Sequence, residues 1–173
     1  LEAVRLSRAE AIDRRHGEIA LDMIGHTLKS MADGGIFDHI GGGFHRYATD
    51  DRWHLPHFEK MLYDNAQLAS IYLDAIPLID GSWPARVATD ILSYMIRDLM
   101  NEEGGFFSAE DADSYPVQDG VGNKREGAFY VWRTEAARAL LSSENYEVVK
   151  YYYGLRPEGN VRHDPFGEFN ETN

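Results

Sequence analysis

Met31-Ala32-Asp33-Gly34-Gly35-Ile36-Phe37 has a near-echo in Met100-Asn101-Glu102-Glu103-Gly104-Gly105-Phe106-Phe107, spaced by about 70 residues. In both places an apolar-periodic segment ends at Gly-Gly, bulky side chains follow, and a polar, Asp-rich stretch begins. Upstream of the first copy, Ala20, Met23, Ile24, Thr27, Leu28 and Met31 recur at three- and four-residue steps, one face of a helix over residues 18–31. A second helix is expected over residues 59–79, with Leu62, Ala66, Ala69, Tyr72 or Leu73, Ile76 and Ile79 as its stripe and Pro77 disturbing the last turn. A third starts with Ser82 as N-cap and Pro84 in the first turn, and carries Val87, Ile91, Tyr94, Met95 and Leu99. Shorter helices are expected at Thr134–Leu141 and Ser143–Tyr153, with a brief β excursion near 127–132. The pattern predicts an all-α chain of two to three antiparallel helical hairpins, as in an open solenoid or a closed α/α toroid.

Composition removes several classes of function. Against 29 Asp and Glu there are 17 Lys and Arg, a formal charge of −12 over 173 residues, which opposes binding to nucleic acid or to an anionic membrane. With 0 Cys there is no disulfide, thiol redox chemistry or Cys-based zinc site. No run approaches the roughly 20 apolar residues of a membrane span. A cytoplasmic setting is expected, and the Leu1-Glu2-Ala3-Val4-Arg5 start reads as the interior of a longer gene product.

Two loops, about residues 36–57 and 106–127, hold most of the chemistry, and loops of that length are often functional. Four of the 7 His fall between positions 39 and 57. Gly-Gly-Gly-Phe-His-Arg-Tyr (41–47), Trp-His-Leu-Pro-His-Phe-Glu-Lys-Met-Leu-Tyr-Asp-Asn-Ala-Gln-Leu (53–68), Ser-Ala-Glu-Asp-Ala-Asp-Ser (108–114) and Glu-Gly-Ala-Phe-Tyr-Val-Trp (126–132) follow one another in order. Together they resemble signature segments of the thioredoxin-domain-containing proteins of the spermatogenesis-associated protein 20 type. The resemblance runs from about Gly17 to the end of the chain. It implies a fragment, residues 1–173, of an α/α toroid similar to N-acylglucosamine 2-epimerases and six-hairpin glycosidases. It also implies that the family's thioredoxin-like domain, with its Cys pair, is absent here. Six units of about 70 residues would need about 420, so the chain supplies roughly two and a half. An incomplete ring is expected to associate, with another copy or with the remainder of a parent chain, through helices whose apolar stripes lack neighbours.

The residues themselves permit several readings. Gly41-Gly42-Gly43 reads as a tight turn seating the loop, since the helix start and Lys or Ser/Thr of a phosphate loop do not follow it. His54 and His57 form His-x-x-His, but Pro56 places the pair before a helix and no His-Glu-x-x-His spacing exists, so no metal and no cofactor are expected. Proton transfer suits His45 and His57 better, because imidazole titrates near neutral pH, while His39 and His54 read as loop anchors. Glu59 either favours a helix N-terminus or joins a site with Tyr63 and Asn65, and Lys60 with Asp64 reads as an i,i+4 surface pair. The acidic run 108–114 lacks the calcium-loop pattern, and Asp111 and Asp113 read as hydroxyl-binding or loop-anchoring. Phe44, Tyr47 and Trp53 are stacking surfaces for a sugar, or apolar plugs. The expectation is a carbohydrate-active, epimerase-like or related sugar-modifying domain. His57, His45 and Glu59 are its catalytic candidates; Arg46, Tyr47, Trp53, Tyr63, Asp64, Asn65, Asp111 and Asp113 would contact a sugar ligand. The rival expectation is a non-catalytic, protein-binding scaffold that accompanies a thioredoxin-like domain.

Overall fold

Tyr72 and Ile91 are fully buried and stand on two helices that pack side by side, and the first half of the chain is organised around them. The computed structural model describes Val4, residues 11–116 and 123–161, Asp164, Gly167, Phe169 and residues 171–173; part of the expected second loop, 117–122, lies outside the described residues. The chain divides into two compact units, Leu1–Glu110 and Asp111–Asn173.

The first unit contains α1 (Ala11–Asp33), β1 (Tyr47–Ala48), β2 (Pro56–His57), β3 (Lys60–Met61), α2 (Leu62–Ala75), α3 (Trp83–Tyr94), a π-helical turn (Met95–Leu99) and β4 (Ala109–Glu110). The core joins Leu28 and Ala32 of α1, Ala69, Tyr72 and Ala75 of α2, and Val87, Ala88 and Ile91 of α3 to Ile36, Phe37 and Phe44 of the first loop. Phe44 stacks on Tyr72 at 5.6 Å, and the Tyr72 hydroxyl donates to the Leu28 carbonyl at 2.8 Å, so the ring is buried without leaving its polar end unpaired. The stripe Val87, Ile91, Tyr94, Leu99 is buried as its periodicity requires. Its last step is five residues, which the π turn accommodates through a Met100 N–H to Met95 carbonyl bond of 3.0 Å. The stripe of α1 is buried only at its C-terminal end; Met23 (64% exposed) and Ile24 (43%) face solvent.

The second unit pairs β5 (Asp113–Ser114) with β6 (Arg125–Glu126) and continues into α4 (Thr134–Leu140) and α5 (Ser143–Tyr153). Ser142 caps α5 by accepting from the Asn145 N–H, and Gly154 ends it in the left-handed conformation at φ 67°. Ala137, Tyr146 and Leu155 form its small core. Asn173 closes it, exchanging two 2.8 Å backbone bonds with Trp132.

The all-α expectation, and with it the arc of an α/α toroid, is overturned. Among the described residues three two-stranded antiparallel sheets join five α-helices, and the result is a mixed α/β domain. Each strand is two residues long, too short for a period-two pattern to register, and its partner lies up to about 50 residues away in sequence. The β excursion expected near 127–132 is a run of turns, with the strand just before it at Arg125–Glu126. The first turn expected of the second helix is instead β3, and α2 starts only at Leu62. Ser82 makes no side-chain cap, and Pro84 stands in the first turn of α3 as expected.

Candidate functional site

The segment from His57 to Met61 decides where the chemistry goes. It is extended, so successive side chains point to opposite sides. His57, Glu59 and Met61 are half-buried while Phe58 and Lys60 are buried between them. One strand-like stretch therefore presents an imidazole and a carboxylate outward and sends a lysine into the interior.

On the outward side, β1 pairs with β2 so that Tyr47 lies opposite His57, and their rings stack at 4.9 Å. Arg46 is tied to the same segment twice, by its N–H to the Glu59 carbonyl (2.8 Å) and by Nη1 to Glu59 Oε2 (2.8 Å). His57 Nε2 stands 3.9 Å from the same Oε2. The hydrogen bond that Arg46 donates to Glu59, then the nearby Tyr63, hold the Arg46 cation still more firmly protonated than usual. Asp64 completes the group: burial raises its carboxyl above the ordinary range against the pull of Arg46. Arg46, Tyr47 and Tyr63 are exposed, and His57, Glu59 and Asp64 are half-buried, so the cluster is open to a ligand.

The inward side is a clamp. Lys60, 1% exposed, donates to Asp38 Oδ2 (2.8 Å) and to the Gly42 carbonyl (3.0 Å), and its ammonium lies 4.4 Å from the centre of the Tyr94 ring. Tyr94 in turn donates to Glu110 Oε2 at 2.9 Å. Asp38 Oδ1 accepts from the Ile40 and Gly41 N–H groups. Lys60 and these N–H groups outweigh burial and keep the Asp38 carboxyl below its usual value. The triple glycine is thereby pinned against α3. Gly43 has φ 77°, and a Cβ there would sit 2.4 Å from the Tyr94 ring. Lys60 is thus no surface partner of Asp64. Neither the burial of Lys60 nor the roles of Asp38, Tyr94 and Glu110 was read from the sequence; the alternation of His57, Phe58 and Glu59 after Pro56 was the available signal.

The remaining candidates lie elsewhere. His45 is buried, its Nδ1 2.9 Å from the Phe58 carbonyl, and burial together with the Lys60 cation pushes its pKa down to about 4. It is neutral at pH 7, and because a carbonyl can only accept, Nδ1 carries the proton and donates to it. Asn65 is fully buried; it accepts from the Phe44 N–H and donates to the Phe44 and Met61 carbonyls. Trp53, at φ 61°, packs on the core and accepts from the Ile36 N–H. Asp111 and Asp113 are exposed in the second unit. Asp111 accepts the Asp113 N–H, which lowers its carboxyl with help from Lys124. Of the expected anchors, His39 contacts the Gly34 carbonyl at 2.9 Å, and the His54 backbone is held by Asp50. Among the described residues no group of His, Asp and Glu is arranged to hold a metal ion, and no helix is long and apolar enough to cross a membrane.

The chain as a whole has relatives among known proteins. The chain is homologous to spermatogenesis-associated protein 20. It is 46% identical to the Mus musculus protein and 45% identical to the Homo sapiens protein, each over 168 residues and 91% of this chain. An uncharacterized protein of Caenorhabditis elegans is 45% identical over 161 residues. The chain spans about a fifth (21–22%) of the length of each of these three proteins. No protein-family model matches it.

Proposed function

We propose that the first unit carries a carbohydrate site, epimerase-like or of a related sugar-modifying kind, built on Arg46, Tyr47, His57 and Glu59. The observation that supports this reading is their convergence: a guanidinium, an imidazole and a carboxylate within 4 Å steps of one another, beside an exposed tyrosine face. A sugar ring placed against Tyr47 presents its apolar C–H face to the aromatic ring and its hydroxyls to the charged groups. With the sugar in its ring-opened aldehyde form, His57 then takes a proton from the carbon next to the carbonyl, the C–H electrons moving onto the carbonyl oxygen. Arg46 stabilises the negative charge that develops there; solvent protonates the enolate on the opposite face, inverting the carbon, and His57 releases its proton to solvent. Glu59, with its Oε2 3.9 Å from His57 Nε2, supplies a carboxylate acceptor for a sugar hydroxyl beside the imidazole.

The test is exchange of the C2 hydrogen of N-acetyl-D-glucosamine with deuterated solvent, followed by NMR. The 173-residue chain is expected to catalyse it, and His57→Gln to abolish it with an unchanged circular dichroism spectrum. The amide keeps a hydrogen bond yet cannot act as a base. Full exchange in the Gln variant removes His57 from the reaction. Neither exchange nor sugar binding by the unaltered chain would favour the protein-binding scaffold instead.

A further inference from the structure

α5 is apolar on two sides. Tyr146 is buried in the core of the second unit with Val149 packed against it, and that contact accounts for one face of the helix. On the opposite face Glu144, Val148 and Tyr151 follow one another at helical spacing, a single row along the surface. Val148 is 62% exposed and Tyr151 91%, and Tyr152 beside them is 73% exposed. A surface helix turns charged and polar side chains outward, whereas a helix that is apolar all round is covered all round. Tyrosines suit the inside of an interface, since each brings a large rigid contact area at little cost in rotamer freedom.

The charges at the ends of the row select the partner. Glu144 stands in the first turn of α5 and Arg156 just beyond the Gly154 that ends it, and the two are equidistant in sequence from Lys150. Both are exposed, and among the described residues neither side chain takes part in an ion pair, whereas Glu147 and Lys150 meet each other at 3.7 Å. A second α5 laid antiparallel on the first brings Val148 of each copy toward Tyr152 of the other, with Tyr151 between. It also sets each Glu144 opposite the other copy's Arg156. The row is thus complementary to itself, as a two-fold interface requires.

We propose that α5 is a self-association surface, pairing antiparallel with α5 of a second copy about a two-fold axis at the level of Lys150. One helix face is small beside the roughly 1,200–2,000 Å² that stable complexes bury, so the pairing is reversible and grows with protein concentration.

Sedimentation equilibrium of the 173-residue chain, from micromolar to near-millimolar concentration at low salt, tests it. The expected result is a reversible monomer–dimer equilibrium. Tyr151→Glu is expected to weaken it at least about tenfold with unchanged circular dichroism and Tm, because so exposed a side chain adds little to the fold. Glu144→Arg and Arg156→Glu each set like charges opposite one another and weaken the dimer. Mixing these two variants restores association, since the altered charge of each then meets its opposite in the other, and no change within a single chain gives that rescue. A chain that stays monomeric throughout leaves the face to a different protein and overturns the proposal, as does a dimer that Tyr151→Glu leaves intact. A dimer that Tyr151→Glu breaks but the mixture does not restore overturns the antiparallel register. Should Tyr151→Glu fold poorly, NMR of the unaltered chain decides: concentration-dependent shifts at Val148, Tyr151 and Tyr152 uphold the surface, and shifts confined to other residues overturn it.

Discussion

Gly34-Gly35 and Gly104-Gly105 follow helical segments that look alike in sequence, yet their surroundings are opposite. At the first corner a Cβ on Gly35 would lie 2.0 Å from the His54 carbonyl oxygen, and one on Gly34 2.5 Å from that of Trp53. The returning loop lies directly on the glycines, and Ile36 and Phe37 behind them are buried at 3% and 7% exposure. At the second corner Gly104 has φ 84° and nothing within 4 Å of where a Cβ would stand. Asn101 organises that turn locally by accepting from the Glu103 and Gly105 N–H groups, and Phe106 and Phe107 stay exposed. The first pair is glycine because another part of the chain needs the space. The second is glycine, at Gly104, because the backbone turns left-handed there. A shared dipeptide thus serves packing in one loop and conformation in the other, and only the packed loop builds the Arg46–His57–Glu59 face.

The largest expected effect tests that contrast directly. Gly35→Ala should destabilise the first unit by about 3 kcal/mol or more, because a backbone carbonyl, not a flexible side chain, occupies the space. Gly104→Ala should cost only about 1–2 kcal/mol, the penalty for a left-handed alanine. Urea unfolding followed through Trp53 and Trp83 in a Trp132→Phe background reads the first unit; equal costs at the two corners would end the comparison.

Next in size is the clamp beneath the first loop. Lys60→Met strands Asp38, and breaking a buried pair from one side costs about 3 kcal/mol or somewhat more. The exposed Lys124–Asp111 pair of the second unit, at 3.5 Å, should show no measurable midpoint change in Lys124→Met. A Lys60 variant as stable as the parent would mean that the first loop is not held from beneath.

A smaller, pH-dependent effect follows from His45. Its folded pKa of about 4 lies below the 6.5 of an ordinary imidazole, so the unfolded chain binds more protons between those values. Stability contributed by the neutral imidazole is complete above pH 6.5 and declines as pH falls toward 4, by about 3 kcal/mol in all. His45→Asn, whose amide can still donate to the Phe58 carbonyl, should flatten that slope in urea midpoints measured between pH 7 and 4. An unchanged slope would place the acid sensitivity elsewhere.

Sequence alone located the five helices, because burial of one face imposes a three-to-four-residue period over many positions, as at Val87, Ile91 and Tyr94; their ends were less legible, since α1 starts at Ala11 rather than near Glu18 and α3 gives way to the π turn after Tyr94. It also singled out the loop that carries the candidate site, since His, Arg, Trp and Gly crowd residues 39–57 in a way no helix explains, and it read the triple glycine as a seating turn. Tertiary structure decided the rest. Strands of two residues have no detectable period, so the mixed α/β character was invisible and an all-helical ring was expected instead. Local spacing suggested a surface pair for Lys60 and Asp64. In the folded chain Lys60 meets Asp38, 22 residues away, and Arg97 reaches the Gly41 carbonyl across 56. Whether a polar side chain is buried depends on which distant segments close over it, and the energy of those contacts exists only once the chain has brought them together.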